Sequence, residues 1–551
     1  MSAPSDALEG RRGLLQRRQR PVLGDFAVDH RMVIVALLAL PIGALAGLAA
    51  WVLLRLIGLV TNLVFFHRAA TALVAPGSAH DRWWLILLAP VVGGLVVGLM
   101  ARFGSEKIRG HGMPEAIEAI LTGGSRVSPK VTVLKPISAA VSIGTGGPFG
   151  AEGPIIMTGG ALGSLFAQLL RLTADERKAV LVAGAAAGMA ATFNSPLASV
   201  LLAVELLLFE WRPRSFVPVV AAVGVATVLR GYLLGGGPVF GVPQAPIHLD
   251  PTINALAIVT GLTGGLLALG ATWLVYKAED AFHRLPIHWM WWPAIGGVII
   301  GLGGLVEPKA LGVGYDVIGS LLTGRATMSL ILGILVVKTL IWSLSLGSGT
   351  SGGVLAPMFM IGGALGALEG TVLPHVAPGF WAMCGLAAVL GGVMRSPLTG
   401  VVFTLELTHQ WGALLPLLLA STAAYALSVL VLKRSVLTEK IARRGLHLTR
   451  EYSTDPLETF FARDVMHPAA SGTEFTLDVR PDTTLRTVAY LFAELDVAEA
   501  RVVDADGLAV GVVTLPDLLQ ARLHDLTEEH HRARTLLASG LRRRATETTE
   551  S

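Results

Sequence analysis

The 551-residue chain has little of what soluble enzymes depend on. It contains one cysteine and only 15% charged residues, against 53% hydrophobic residues and a mean hydropathy of +0.64. The single Cys384 excludes an intramolecular disulfide, and no histidine/carboxylate cluster with metal-ligand spacing occurs. Sustained alternation of apolar and polar residues is also missing, which disfavours a membrane β-barrel. These absences leave a polytopic helical membrane protein.

Apolar runs extend from about Met32 to Leu432, and many are only ten to eighteen residues long before Gly or Pro interrupts them. A full span needs about 20 apolar residues, so the short runs predict tilted, broken or re-entrant helices in the lipid bilayer. Basic residues flank the apolar region on both sides, and the positive-inside rule therefore places both termini in the cytoplasm. We expect a multi-pass protein of the cell (inner) membrane, with no removed leader and no nucleic-acid partner.

Glu152 lies among glycines and prolines inside this apolar chain, in the stretch Gly144-Thr-Gly-Gly-Pro-Phe-Gly-Ala-Glu-Gly-Pro154. A charged side chain at membrane depth costs roughly 2.5–3.5 kcal/mol, so it is expected to face a cavity, a partner or an ion path. Pro148 and Pro154 lack an N–H donor and prevent a continuous helix. A helix that starts here would direct free backbone amides towards whatever precedes it.

The two halves of the apolar region resemble each other at a spacing of about 200 residues. Four features recur in order, namely Gly150–Pro154 at Gly353–Pro357, Gly159–Gly163 at Gly362–Gly366, Lys135 at Lys338, and Asn194–Leu197 with Glu205 at Arg395–Leu398 with Glu406. Duplicated halves with short, broken segments predict a transporter-type site at the repeat interface. Converging helix N-termini would hold an anion there. The alternative, close helix packing at small residues, fits Gly159–Gly163 but does not explain Glu152.

Three segments carry a family resemblance: Gly110-His-Gly-Met-Pro-Glu-Ala116, Gly150-Ala-Glu-Gly-Pro154 and Gly353-Val-Leu-Ala-Pro357. With Asn194-Ser-Pro-Leu-Ala198, this ordered set resembles the signature of the CLC family of chloride channels and chloride/proton antiporters, over roughly residues 30 to 445. The resemblance implies an all-α polytopic membrane protein built as an inverted repeat of broken and tilted helices. It also implies a homodimer, with chloride or another small anion and protons as partners.

The resemblance assigns Glu152 as the gating glutamate. When ionised, its carboxylate would occupy an anion site, and when protonated it would swing away and let the anion pass. The anion-binding positions that the family implies are His111, Gly112, Met113, Ala151, Gly153, Val354, Leu355 and Leu437. Lys135 would add a positive field along the path, or would only snorkel or pair.

The sequence departs from the family pattern at the implied central site. His111 stands where the family usually has a serine, and Leu437 falls where a tyrosine is expected. Both side-chain hydroxyls are therefore absent, and His111 is either a replacement donor or a neutral histidine bonded to a carbonyl. Ala151 replaces the arginine or lysine before the gating glutamate.

A second departure from the family pattern concerns the residue that would couple anion transport to proton movement. Leu206 occupies the position of the inner glutamate of many family antiporters, which favours a passive channel. Glu210 or a water chain is the alternative proton route. Glu205 and its repeat equivalent Glu406 are interpreted as structural partners of helix ends.

After about Gly445 the composition becomes polar, and the pattern resembles one CBS motif, a small α/β cytoplasmic module. Such motifs pair, so a partner is expected across a dimer or in residues 446–470. Thr514 and Asp517 would contact an adenosine nucleotide, or Asp517 would only be a favourable first-turn residue of a helix. No other cofactor is expected.

The predicted organisation is a basic cytoplasmic N-terminus (1–30), a transmembrane transport domain (31–433), a linker (434–460), a CBS-like domain (461–525) and a disordered tail (526–551). The predicted function is channel-like transport of a small anion, gated by Glu152. The alternatives are a proton-coupled antiporter and a nucleotide-binding sensor without transport. An enzyme with a phosphate loop at Gly144–Gly150 is disfavoured because Phe149 stands where a dinucleotide fingerprint needs glycine.

Overall fold

The computed structural model describes residues 30–79, 82–122, 124–170, 172–244, 246–445, 457, 460–468, 476–521 and 523. The chain divides into two compact units, Met1–Thr449 and Arg450–Ser551. This division falls inside the predicted linker, residues 434–460, whose first part is a helix of the first unit. Residues 1–29 and the predicted tail, 526–551, lie outside the described residues.

The first half of the helical unit contains eight α-helices within the described residues. They are α1 (Arg31–Phe66), α2 (Trp83–Phe103), α3 (Met113–Thr122), α4 (Pro129–Gly144), α5 (Glu152–Leu169), α6 (Ala174–Phe193), α7 (Pro196–Leu202) and α8 (Pro213–Leu233). A π-helical turn, Ala203–Leu208, continues α7.

The second half repeats this order. Its helices are α9 (Pro251–His283), α10 (Trp292–Val306), α11 (Tyr315–Leu322), α12 (Met328–Gly333), α13 (Thr339–Gly347), α14 (Leu355–Glu369), α15 (Phe380–Met394), α16 (Pro397–Thr408) and α17 (Leu414–Val431). A π-helical turn, Ile334–Lys338, joins α12 to α13, so that this pair corresponds to α4. The helix α18 (Val436–Arg443) follows and packs on α3 and α15.

Seven helical stretches of the described residues are long and apolar enough to cross a membrane. Four shorter apolar helices, such as Leu355–Glu369 and Phe380–Met394, are too short to do so. Every residue of α15 is buried, so this short helix is enclosed by protein. The short, enclosed helices agree with the prediction of broken segments.

Glycine and proline do not interrupt every apolar run, because α1 and α9 are 36 and 33 residues long. Helix α1 continues through Pro41, because local adjustment and neighbouring groups can satisfy the one carbonyl that proline leaves free. In α9, Gly261 allows close contact between helices, because it packs against the Ala420 carbonyl of α17.

The repeated Gly-Gly-Ala-Leu-Gly motif packs one helix against the next in both halves. In α5 a Cβ atom on Gly159 would collide with the Gly184 carbonyl of α6. In α14 a Cβ atom on Gly366 would collide with the Trp381 carbonyl of α15. The motif therefore has the packing role that small residues commonly have between membrane helices.

The two halves exchange helix caps. Glu205, after α7, accepts hydrogen bonds from two amides at the start of α16, of which Thr399 N lies at 2.9 Å. Glu406, in α16, accepts from two amides at the start of α7, of which Ala198 N lies at 2.8 Å. These contacts confirm the prediction that both glutamates act at helix ends. Because the exchange is reciprocal, an approximate two-fold axis relates the halves.

The second unit holds a small sheet. Its elements are α19 (Ala462–Val465), β1 (Asp478–Val479), α20 (Leu485–Leu495), β2 (Glu499–Val503) and β3 (Ala509–Thr514). The strand order is β1-β2-β3, with β1 parallel and β3 antiparallel to β2. Val488 of α20 and Val502 of the central strand belong to one buried hydrophobic cluster. This arrangement is a small α/β unit, and its assignment as a CBS module stays a prediction.

Replacing Gly159 or Gly366 by alanine should lower the melting temperature of the solubilised protein. The added methyl group forces α5 from α6, or α14 from α15, at a cost of about 1–3 kcal/mol. The matched control is Gly270→Ala in α9, where a Cβ atom meets nothing within 4 Å. Thermal unfolding followed by fluorescence measures the difference, and equal melting temperatures for all three variants would contradict the packing role.

Candidate functional site

The three glycine-rich turns that the sequence singled out lie side by side. Gly110 N donates to Thr350 O at 3.0 Å, which joins the first turn to the segment before α14. Gly150 and Gly353 exchange two backbone hydrogen bonds, of 3.3 and 2.7 Å, as an antiparallel pair does. The backbone segment that leads into α5 in the first half therefore pairs with the segment that leads into α14 in the second half.

Two glycines allow this convergence. Gly112 has φ of +85°, a left-handed conformation that favours glycine. A Cβ atom on Gly153 would collide with the His111 carbonyl, so only glycine lets the second turn reach the first. The predicted positions His111, Gly112 and Gly153 therefore belong to one site.

Glu152 begins α5, and its side chain is fully buried. Its Oε1 accepts hydrogen bonds from Leu355 N at 2.5 Å and from Ala356 N at 3.2 Å. Its Oε2 is buried and has no hydrogen-bond partner among the described residues. The carboxylate therefore occupies the N-terminus of α14, where unsatisfied amides and the helix dipole favour negative charge.

The amide of Ala356 is a member of the site that the sequence reasoning missed. The predicted donors were the amides of Val354 and Leu355. Val354 is the residue that caps α14, and the amides that donate to Glu152 are those of Leu355 and Ala356. A signal was available in Pro357, which has no N–H group. Ala356 is therefore the last possible donor before the proline.

Lys135 is fully buried, and its Nζ donates to the carbonyls of Ile108 and Gly110 at 2.8 and 2.7 Å. Its repeat equivalent Lys338 donates in the same way to Ala310 O and Gly312 O, each at 2.8 Å. Each lysine thus holds the glycine turn of its own half in place. This geometry agrees with the alternative that Lys135 pairs, while its positive charge also lies beside the site.

His111 is buried, and its Nδ1 has no hydrogen-bond partner among the described residues. It lines a cavity of about 560 Å³ whose wall has more basic than acidic residues, the acidic ones being Glu106, Glu118 and Glu279. The basic residues of this wall are Lys107, Arg109, Lys440, Arg443 and Arg444. Even if His111 is a neutral histidine bonded to a carbonyl, its Nδ1 has no hydrogen-bond partner among the described residues. The imidazole therefore retains a polar atom that can bind a ligand.

Leu437 is fully buried in the first turn of α18 and brings no polar side-chain atom to the site. Helix α18 is held to α3 by Glu115, which forms ion pairs with Lys440 at 3.3 Å and Arg444 at 2.9 Å. Met113 and Ala151 are also buried and apolar, so they can contribute only backbone groups.

The position of the inner glutamate is apolar, and Glu210, the alternative proton carrier, has local polar partners. Leu206 is fully buried in the π-helical turn after α7 and cannot carry a proton. The Glu210 carboxylate accepts a hydrogen bond from the Ser215 hydroxyl at 2.6 Å and lies 3.6 Å from the Lys178 ammonium. It is therefore engaged in a local ion pair.

The geometry is that of a carboxylate held by the first amides of α14, beside the start of α5. The model of the voltage gated chloride channel family matches residues 92–429. The chain belongs to this CLC family. It is 31% identical, over 74% of its length and 98% of the relative's, to the voltage-gated ClC-type chloride channel ClcB of Citrobacter koseri.

Another relative carries a different description. The chain is 30% identical to the H(+)/Cl(-) exchange transporter ClcA of Klebsiella pneumoniae, over 78% of this chain and 92% of that one. Among solved structures, a slow cyanobacterial Cl-/H+ antiporter matches with a TM-score of 0.65 and 21% identity, covering 76% of this chain and 99% of that one. The chain thus has the CLC transporter fold and takes part in CLC-family anion transport.

In the second unit, Thr514 and Asp517 form hydrogen bonds with each other. Asp517 Oδ2 accepts from Thr514 N at 2.8 Å and from Thr514 Oγ1 at 2.7 Å. Asp517 Oδ1 lies 2.8 Å from His467 Nε2. Burial opposes ionisation of Asp517, but the bonds from Thr514 and His467 outweigh it and hold the pKa of this carboxyl below its usual range.

Replacing Lys135 by methionine should lower the stability of the solubilised protein by roughly 1.5–3 kcal/mol, because two buried carbonyls lose a charged donor. The matched control is Lys130→Met on the same helix, since Lys130 is exposed. Chemical denaturation of both variants measures the effect. Equal stability of the two would show that Lys135 does not hold the Gly110 turn.

Replacing Asp517 by asparagine should speed hydrogen exchange at the Thr514 amide in the full-length protein at neutral pH. Because the folded-state pKa is depressed, the stabilisation is present above the unfolded-state pKa of about 4 and is lost as the pH falls through the lower folded-state value. Mass spectrometry of the peptide that contains Thr514 measures the exchange. The control is Asp506→Asn in an exposed turn, and the role of Asp517 fails if both variants exchange alike.

Proposed function

We propose that the protein conducts chloride or a similar small anion across a membrane as a channel-like CLC protein, gated by protonation of Glu152. One observation carries the proposal: the Glu152 carboxylate accepts hydrogen bonds from the first amides of α14. An ionised carboxylate in this position is a tethered anion. It occupies the place that a free anion would take.

Gating follows from competition for these amides. A protonated carboxyl group has no net charge, so its hydrogen bonds from Leu355 and Ala356 lose their charge-assisted strength. The side chain is then free to leave, and a permeant anion takes the donors. Because backbone dipoles and not a fixed cation do the binding, the anion also leaves readily.

The channel-like reading is supported by Leu206, which removes the acid that many family antiporters use on the inner side. Proton-coupled exchange is the second candidate. It is supported by the exchange-transporter relative from Klebsiella pneumoniae and rests on the same Glu152 chemistry. The two mechanisms differ in whether each anion movement carries a proton.

The proposal also covers the oligomeric state, the membrane location, the topology and the cofactors of the protein. We propose a homodimer in the inner membrane. We also propose that both termini lie in the cytoplasm, which is supported by the basic residues that flank the apolar region. We propose no catalytic activity and no bound cofactor. The mutual hydrogen bonds of Thr514 and Asp517 support a structural role for this pair over nucleotide binding.

Flux measurements on purified protein in liposomes test the gate. Wild-type anion flux should rise as the pH falls, by up to about tenfold per pH unit, the limit for a single titrating group. Glu152→Gln removes the charge without changing the shape, so its flux should persist and lose the pH dependence. The control is Glu494→Gln, an exposed carboxylate in the second unit.

Recording proton movement in the same liposomes separates the candidates. Chloride flux without protons supports the channel, and a fixed proton-to-chloride ratio supports the exchanger. An unchanged pH dependence in Glu152→Gln would refute Glu152 as the gate. No anion flux at all would leave the alternative of a membrane sensor without transport.

A further inference from the structure

The second half contains a glycine turn built on the same plan as the turn that carries His111. Gly312 and Gly314 follow Gly110 and Gly112 by 202 positions, and all four glycines have left-handed backbone conformations. The buried lysine of each half holds its own turn through two carbonyls. The two turns therefore share left-handed glycines and a buried lysine that holds them, and they differ in their side chains.

The side chain that differs most is Tyr315, which occupies the position of Met113. Its hydroxyl oxygen is buried and has no hydrogen-bond partner among the described residues. The ring lies edge-on to Phe193 at 6.2 Å and to Phe240 at 6.1 Å between centroids. These contacts fix the ring, so the direction of the hydroxyl is set by packing.

Tyr315 lies near Glu152. The phenol interacts electrostatically with the Glu152 carboxylate, whose Oε2 is likewise buried and unpartnered among the described residues. Met360 of α14 packs directly against Gly314, which brings the turn before Tyr315 to the helix that binds Glu152. Two buried polar atoms without partners thus belong to the same neighbourhood, and each would be satisfied by a ligand or by the other.

A second cavity reaches this turn. It has a volume of about 240 Å³ and is lined by Gly312, Gly314 and Tyr315, together with Thr61 and Asp316. The larger cavity reaches the equivalent turn of the first half at Gly110 and His111. Each glycine turn therefore lines a cavity of its own.

We infer that the Tyr315 hydroxyl is a side-chain donor that binds the transported anion near Glu152. The inference rests on the proposed function. Tyr315 begins α11 in the second half and supplies a side-chain hydroxyl, which neither His111 nor Leu437 has. Two cations near these groups favour negative charge here, since Arg230 interacts electrostatically with Tyr315 and Lys338 with Glu152.

The chemical class of the ligand follows from the donor. A phenolic hydroxyl gives one directional hydrogen bond, which a small anion of high charge density accepts more strongly than a large, weakly hydrated one. Tyr315 therefore favours chloride over iodide or thiocyanate. The rest of the site, made of backbone amides, is less selective because it binds any anion that fits.

Tyr315→Phe tests the inference because it removes one oxygen and keeps the ring. In liposomes, chloride binding inferred from the concentration dependence of flux should weaken about tenfold, and selectivity should shift towards iodide and thiocyanate. Tyr232→Phe is the matched control, since Tyr232 is 86% exposed. A melting temperature equal to that of the wild type shows that packing is intact.

The outcomes separate this inference from the proposed function. Flux in the wild type with unchanged affinity and selectivity in Tyr315→Phe overturns the inference and leaves the proposed function standing. A change in affinity and selectivity without a change in melting temperature supports it. No flux in the wild type overturns the proposed function, and with it the inference.

Discussion

A single buried carboxylate bound by backbone amides is the constraint on which the helical unit depends. Glu152 is excluded from solvent, and only one of its oxygens has hydrogen-bond partners among the described residues. A buried charge is costly unless dipoles or counter-charges compensate it. The compensation comes from the far half of the chain, because the donors of α14 follow Glu152 by more than two hundred residues. The fold therefore has to bring two turns that are distant in sequence into contact before the energetic cost of burying the Glu152 charge is compensated.

The duplicated halves share a backbone plan and differ in side chains. The lysines that hold the turns, the glycines at positive φ and the packing of α5 on α6 all recur. At the turns themselves, His111 corresponds to Val313 and Met113 to Tyr315. One cavity is lined by five Lys or Arg residues and three glutamates, and the other has Asp316 and no basic residue in its lining. A duplicated scaffold thus provides two cavities with chemically distinct linings.

Much of the site was predictable from the sequence because its parts are local. Glycine and proline at Gly150–Pro154 and Gly353–Pro357 determine where helices start, and the repeat indicates that the two starts are related. Tyr315 was not predictable, because the isolation of its hydroxyl results from rings distant in sequence. The length of α1 was also missed, since tolerance of Pro41 depends on neighbouring groups and not on the run itself.

The exchanged caps of Glu205 and Glu406 have a consequence for biosynthesis. The start of α7 receives its carboxylate from a residue 209 positions later, so this helix leaves the ribosome long before its cap exists. During that interval its first amides need another partner, such as water or the insertion machinery. Completion of the first half must therefore wait for α16 to be made. Truncated chains that stop between the halves would be poor folding units and ready targets for quality-control proteases.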